Sequence, residues 1–229
     1  MIEQRLGNTL RNDPLREKLI SHSFFGRIPE ADLSRGQVAT FLGQWWHPLH
    51  YFPTFLSRLV SVVPGVEQKT AIAKILFQEL GEGDPSRAHE VVYVNTMMPL
   101  GFGKAELTGA APLPATARLI AAYAESSIEP FAGLGLLYGT EVADLAMVSG
   151  IGTAVRRVTG ATRLEWVDIH VEQEPEHVAR ANDTVSLEFT QAEEAALLAG
   201  AEVMWRHWIA FFDELDRRIF SPTMVAAAS

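Results

Sequence analysis

Cysteine is absent from the 229 residues. That removes disulfides, thiolate zinc sites, iron–sulfur clusters and a cysteine nucleophile together. Metal chemistry, if the chain performs any, must use His, Asp and Glu. Basic residues are in deficit, 19 against 28 acidic ones for a net charge of −9. Such a balance argues against a nucleic-acid groove or a polybasic membrane patch. Long apolar runs are missing too: each is cut by glycine or charge, so no bilayer-spanning segment and no membrane partner are predicted. The opening MIEQRLGNTLRNDPLREK lacks an apolar core, which predicts no signal peptide and a cytoplasmic chain. No Pro/Gly/Ser-rich linker or internal repeat divides the sequence. Residues 1–229 are therefore expected to form one domain, a length that can bury a sizeable core.

Strand signals are equally scarce, with no alternating β-branched runs bounded by Asn-Gly or Asp-Gly turns. Helical patterns fill the chain instead. Asp13-Pro14 caps LREKLISHSFF, and ADLSRGQVATFLGQWWHPLHYFPTFLSRLV is a long apolar helix that Pro48 and Pro53 are expected to kink or divide. VEQKTAIAKILFQEL is a third helix, interrupted at GEGDP and resumed in SRAHEVVYVNTMM. ATARLIAAYAESS follows, then a helix from about Glu129 to Val158, a sixth from about Leu164, and a last one capped at Thr190. Seven helices with short connections predict an all-α bundle.

Chemistry must come from seven histidines and their neighbours. His22, His47, His50 and His207 lie near aromatic residues, where a histidine is more often a satisfied core residue than a ligand. His89, His170 and His177 each have carboxylates at helical spacing. The octet HVEQEPEH, residues 170–177, puts His170, Glu174 and His177 at i, i+4 and i+7, one helix face. That face is either a metal clamp or an acidic solvated surface. Pro175 inside it, at an interior cost of roughly 3 kcal/mol, tilts the reading towards function. Two further carboxylates stand out. Glu141 sits on the apolar stretch LLYGTEVADLAM, as an exposed snorkelling side chain or a buried partnered one. Glu79 precedes the break before His89, and Glu82, seven before His89, is the alternative. Imidazole and carboxylate suit Fe(II) or Mn(II), and two ions need about six protein ligands. A ferritin-like bundle would carry two Glu-x-x-His motifs, whereas this chain has one, Glu174 to His177.

QELGEGDPSRAH, then LLYGTE, then WVDIHVEQEPEH together resemble the haem-oxygenase-like diiron oxidases and oxygenases. This family is similar in fold to thiaminase and pyrroloquinoline quinone synthase, a seven-helix bundle without haem. The resemblance implies Glu79, His89, Glu141, His170, Glu174 and His177 as ligands of two Fe(II) ions, with Glu82 as a further carboxylate ligand. Glu174 departs from the pattern, which has aspartate there. The implied chemistry is O2 activation through a peroxo-diferric intermediate, with neither haem nor flavin and with an external electron donor. The implied substrate is a small molecule, foremost an amine undergoing N-oxygenation in specialised biosynthesis. Desaturation or oxidative C–C cleavage of an amino or fatty acid is the alternative, and homodimers are common in the family. Gly81, Gly83 and Pro85 make the third helix locally unstable, which fits loosely held iron.

For the substrate pocket, Gln44, His47 and Tyr51 share a face of the second helix at i, i+3 and i+7. Tyr138 stands three before Glu141 and Trp166 four before His170. Either these residues line the pocket or the aromatics among them are core. Two other readings of the fold compete. A thiaminase-like hydrolase normally needs a cysteine nucleophile, which is lacking, and a haem oxygenase would need an early proximal histidine, for which His22 is the candidate. A non-enzymatic helical binding protein would leave the octet merely exposed.

Overall fold

The computed structural model describes residues 3–220, with the side chains of residues 3–5 and of Glu174 outside that description. The described residues are helical and contain no strand. Eleven α-helices succeed one another: α1 Glu3–Arg11, α2 Pro14–Ile20, α3 Ser23–Arg27, α4 Arg35–Val62, α5 Val66–Glu79, α6 His89–Met97, α7 Lys104–Thr108, α8 Pro114–Ser126, α9 Pro130–Thr159, α10 Glu165–Val185 and α11 Gln191–Phe220. The seven predicted helices are all there, and some are subdivided. The first is parted into α2 and α3 at His22, whose Nδ1 accepts from the Phe24 N–H and caps α3.

The caps follow the local chemistry. Asp13 accepts from the Leu15 N–H, Ser34 and Gln37 form a reciprocal capping box, and Thr190 and Glu193 do the same for α11. Of the two outcomes expected at its prolines, division does not occur: α4 runs through Pro48 and Pro53 for 28 residues. Its face from Val38 to Leu59 is buried, and that packing outweighs the two missing backbone hydrogen bonds. Likewise α10 runs unbroken through Pro175. Pro175 is exposed, and the Val171 carbonyl it leaves without a donor belongs to a residue 51% exposed, where water can serve it.

Helices α9 and α11 form the central pair, with α10 and α4 packed against α9. One hydrophobic core runs through them, from Phe24 and Phe41 to Trp205 and Phe212. The expectation that no helix is apolar enough to cross a membrane needs correction for α9. Its best 18-residue window passes on length and hydropathy, and 67% of that window is buried inside the bundle. A helix surrounded by other helices is apolar on every side for the same reason a membrane span is.

Candidate metal centre

The break after α5 creates the first half of the site. Gly81, Glu82 and Gly83 adopt φ values of +84°, +56° and +93°, three left-handed residues in a row. A Cβ on Gly81 would lie 2.2 Å from the Asp84 carbonyl oxygen and 2.6 Å from the Ala88 nitrogen, so only glycine fits. Asp84 then accepts from the Ser86 N–H, Pro85–Arg87 makes one 3-10 turn, and α6 starts at His89. This tight reversal brings Glu79, the last residue of α5, against His89, the first of α6, at 3.0 Å between Oε2 and Nδ1. Both side chains are buried. The same reversal turns Glu82 outwards, where it is exposed and 3.6 Å from Arg87.

The second element is α10, and it resolves the ambiguity of the octet. His170 and His177 are buried while Val171, Glu172, Pro175 and Glu176 are exposed, so the helix is amphipathic and its histidines face inwards. His170 Nδ1 lies 2.7 Å from the Trp166 carbonyl oxygen, to which it donates, leaving the Nε2 lone pair for another partner. Its ring centroid is 4.6 Å from that of His89. Ligand atoms of Glu79, His89 and His170 lie within 4.8 Å of one another. Gln173, on the same helix, lies 3.1 Å from His89 Nε2 and orients that ring.

The third element is α9. Glu141, 2% exposed, is the buried and partnered carboxylate rather than the snorkelling one. Its Oε2 is 3.3 Å from His177 Nδ1. Five of the six ligand positions thus converge from α5, α6, α9 and α10; the sixth, Glu174, lies outside the described side chains.

The electrostatics describe a buried cluster in which imidazoles and carboxylates hold one another's charges. Burial opposes charge on His177, but Glu141 and then Glu79 hold its pKa up at about 9. Burial opposes charge on His89 as well, yet Glu79 raises it above the ordinary histidine value. His170 is pushed down to about 3 by burial and by its neighbour His89, so it stays neutral. For Glu79 burial alone would raise the pKa; His89 overcomes it and holds the carboxyl at about 2. Glu79 Oε2 is near His89 Nδ1 but out of line for a formed hydrogen bond, and His177 Nε2 also has no partner. His89 Nδ1 and His177 Nε2, buried without hydrogen-bond partners among carboxylates, are donors of the kind an imidazole and carboxylate metal site uses. The residues fit iron.

A small cavity opens beside these groups. Glu79, Glu141, His170 and His177 line it together with Trp45, Phe52, Trp166 and Trp208. Of the residues expected in a pocket, only Trp166 lines it. Gln44 accepts from the Leu113 N–H and the Thr116 hydroxyl and donates to the Ala111 carbonyl, so it ties α4 to the start of α8. His47 is likewise occupied by the Ala110 carbonyl at 2.9 Å. The Tyr51 hydroxyl accepts from Arg58 along α4. Tyr138, 1% exposed, is core. Their shared helix face is real, but α7 and the α7–α8 loop cover it. His22, the haem-ligand candidate, is occupied as the α3 cap and by Asp213, 3.3 Å from its Nε2.

Sequence reasoning missed Tyr123, Thr140 and Asp144 on the cavity wall, and Gln173 behind His89. A signal existed for two: Asp144 follows Glu141 at i+3, and Gln173 follows His170 at i+3.

Residues 39–209 match the sequence pattern of the iron-containing redox enzymes. The chain belongs to that family. A curated relative of this chain, the 4-aminobenzoate synthase of Nitrosomonas europaea, is 31% identical over 146 residues. The match spans 59% of this chain and 59% of that one. Among solved structures, a CADD-like protein of unknown function from Nostoc punctiforme superimposes with a TM-score of 0.79. It is 16% identical, over 95% of this chain and 96% of that one. A domain of unknown function with a heme oxygenase-like fold, from Shewanella denitrificans, follows at a TM-score of 0.65 and 16% identity, over 95% and 91% of the two chains. At these identities the likeness concerns the fold, which is haem-oxygenase-like.

Proposed function

We propose that this enzyme is a non-haem diiron oxygenase that uses O2 and an external electron donor to oxidise a small amine, most simply at nitrogen. The observation that carries the reading is the presence of two buried half-sites, Glu79–His89–His170 and Glu141–His177, each of which contributes residues to the lining of one cavity. Bound ferrous ions would supply the activation of dioxygen. The chain's own residues do the rest. Trp166 fixes the tautomer of His170, Gln173 orients His89, and both act on the ligand rings rather than on substrate. Tyr123 donates to Thr140, whose own hydroxyl is spent on the Leu136 carbonyl, and burial keeps the Tyr123 proton in place. A defined donor network thus stands beside Glu141 without offering a mobile acid.

The cavity walls support a compact, flat substrate. Indole and phenyl rings exclude water, and Nε1 of Trp45 and Trp166 are buried donors without an acceptor, which a substrate oxygen would satisfy. The name of the Nitrosomonas relative speaks of an aromatic amine, in keeping with such walls. Anaerobic loading should give about two irons per chain. Exposure to O2 with a panel of aromatic and aliphatic amines should then yield N-oxidised products carrying label from 18O2. A chain that takes up no iron disproves the reading, and desaturated or chain-shortened products from amino or fatty acids would replace N-oxygenation with the other reactions of such a centre.

A further inference from the structure

One-electron chemistry at a buried iron centre needs a way for single electrons to reach it. His89, His170 and His177 are all buried, so the ligand rings themselves do not meet water. One series of aromatic rings leads outwards from them. The Trp166 ring lies 4.3 Å from that of His170, centroid to centroid, and Tyr93 stands edge-on to Trp166 at 5.0 Å. Trp46 follows at 6.4 Å from Tyr93 and stacks at 5.0 Å on the exposed ring of His50. All four spacings are those of rings in contact. Electron tunnelling falls steeply with distance, so such contacts make a route. Trp46 is half-buried and lines a surface depression with Glu90, Asn95 and Lys104. The other branch from Trp166, through Trp45 and Trp208, ends among Phe211 and Phe212 in the core. Residue types matter as well as contacts. Packing asks only for bulk and shape, whereas an indole gives up an electron far more readily than a phenylalanine ring. Trp166 can do so and keep its proton, since its buried Nε1 has no acceptor to take it. The Tyr93 hydroxyl donates to the Leu42 carbonyl, which cannot carry the proton away, so Tyr93 is a bridge between two indoles rather than a stopping point.

We propose that Trp166, Tyr93 and Trp46 form an electron relay between the ligand His170 and the surface, carrying single electrons inwards from the external one-electron donor. The relay rests on the diiron reading above and adds the place where the donor's electrons enter. In each transfer Trp166 gives one electron to an oxidised metal ion, Trp46 refills Trp166 across Tyr93, and the donor refills Trp46. One donor molecule is oxidised for each electron the centre gains, and no bond or proton changes place. The test uses the lack of cysteine: N95C gives a ruthenium–bipyridine photosensitiser one attachment point beside Trp46. A flash with an oxidative quencher leaves the label one electron short. In the anaerobic ferrous-loaded chain, ferric absorption then reports when that deficit reaches the centre, through the contacts that serve transfer in either direction. W46F and W166F, each made beside N95C, should slow its appearance roughly tenfold or more, with iron content and far-UV circular dichroism unchanged. W166F keeps the backbone carbonyl that holds His170. W205F, which lies off the relay on α11, should keep the rate of the labelled parent. If W46F and W166F oxidise their iron as fast as the parent, or W205F is slowed as much as they are, the relay is overturned while the diiron reading stands. If the chain takes up no iron, both fall.

Discussion

Glu79 and Glu82 are three residues apart, and one left-handed turn sends them in opposite directions. Glu82 holds φ +56° with a side chain that pairs only loosely, on the surface, with Arg87. A non-glycine residue there costs on the order of 1 kcal/mol, and an exposed ion pair returns little. E82G should therefore raise stability by about 0.5 kcal/mol, allowing for the greater freedom of glycine in the unfolded chain, and leave iron uptake unchanged. Loss of an iron on E82G would make Glu82 a ligand after all. Gly81 is the opposite case. G81A would force a methyl group into the Asp84 carbonyl and the Ala88 nitrogen, at a cost of roughly 2 kcal/mol or more in chemical denaturation. It should also part Glu79 from His89, so metal affinity is expected to fall together with stability.

Among elements, α9 and α11 decide where the site sits. A Cβ on Gly135 would lie 2.0 Å from the Leu197 carbonyl oxygen, and one on Gly200 would lie 2.2 Å from that of Ala132. The two helices therefore touch backbone to backbone, and Glu141 is carried on the same helix less than two turns beyond Gly135. G135A should push α11 away and destabilise the protein by about 2 kcal/mol or more, read as a lower denaturation midpoint at unchanged slope. An unchanged midpoint would mean that the helices can slide apart freely, which their shared core of Leu136, Ile151, Trp205 and Phe212 argues against.

At the scale of the whole molecule, the centre couples pH, metal and stability. His177 and His89 both titrate above the ordinary histidine value of 6.5 in the folded state, His177 at about 9. Their protonated pairs with Glu141 and Glu79 stabilise the metal-free chain fully below pH 6.5, and each contribution is lost as pH rises through that histidine's raised folded-state pKa, about 9 for His177. Metal needs the same nitrogens without protons, so its affinity should move the other way and strengthen over that range. The melting temperature of the metal-free protein is thus expected to fall between pH 6.5 and 9, while the increment added by Co(II) or Mn(II) grows. At a free metal concentration a hundred times Kd the increment is worth about 2.7 kcal/mol. A melting temperature indifferent to both pH and metal would remove the coupling.

Much of this was legible in the sequence because it is local. Periodicity marks the helices, and caps such as Asp13, Ser34 and Thr190 satisfy neighbours only two or three residues away. The ligand motifs have fixed spacings, so the inward face of α10 follows from the 3.6-residue repeat once one knows which side is buried. The burial itself is not local. Whether Glu141 snorkels or lies in the core depends on α10 packing over it, and whether Gln44 and His47 meet a substrate or a loop depends on residues 110–116 folding back across α4. The prolines of α4 teach the same lesson: local cost predicts a kink or a break, and packing along the whole helix keeps it continuous. Residue types and spacings therefore determined the fold class and the chemistry of the donors. Only the tertiary structure decided which donors meet, because distances between helices are set by side chains far apart in the chain.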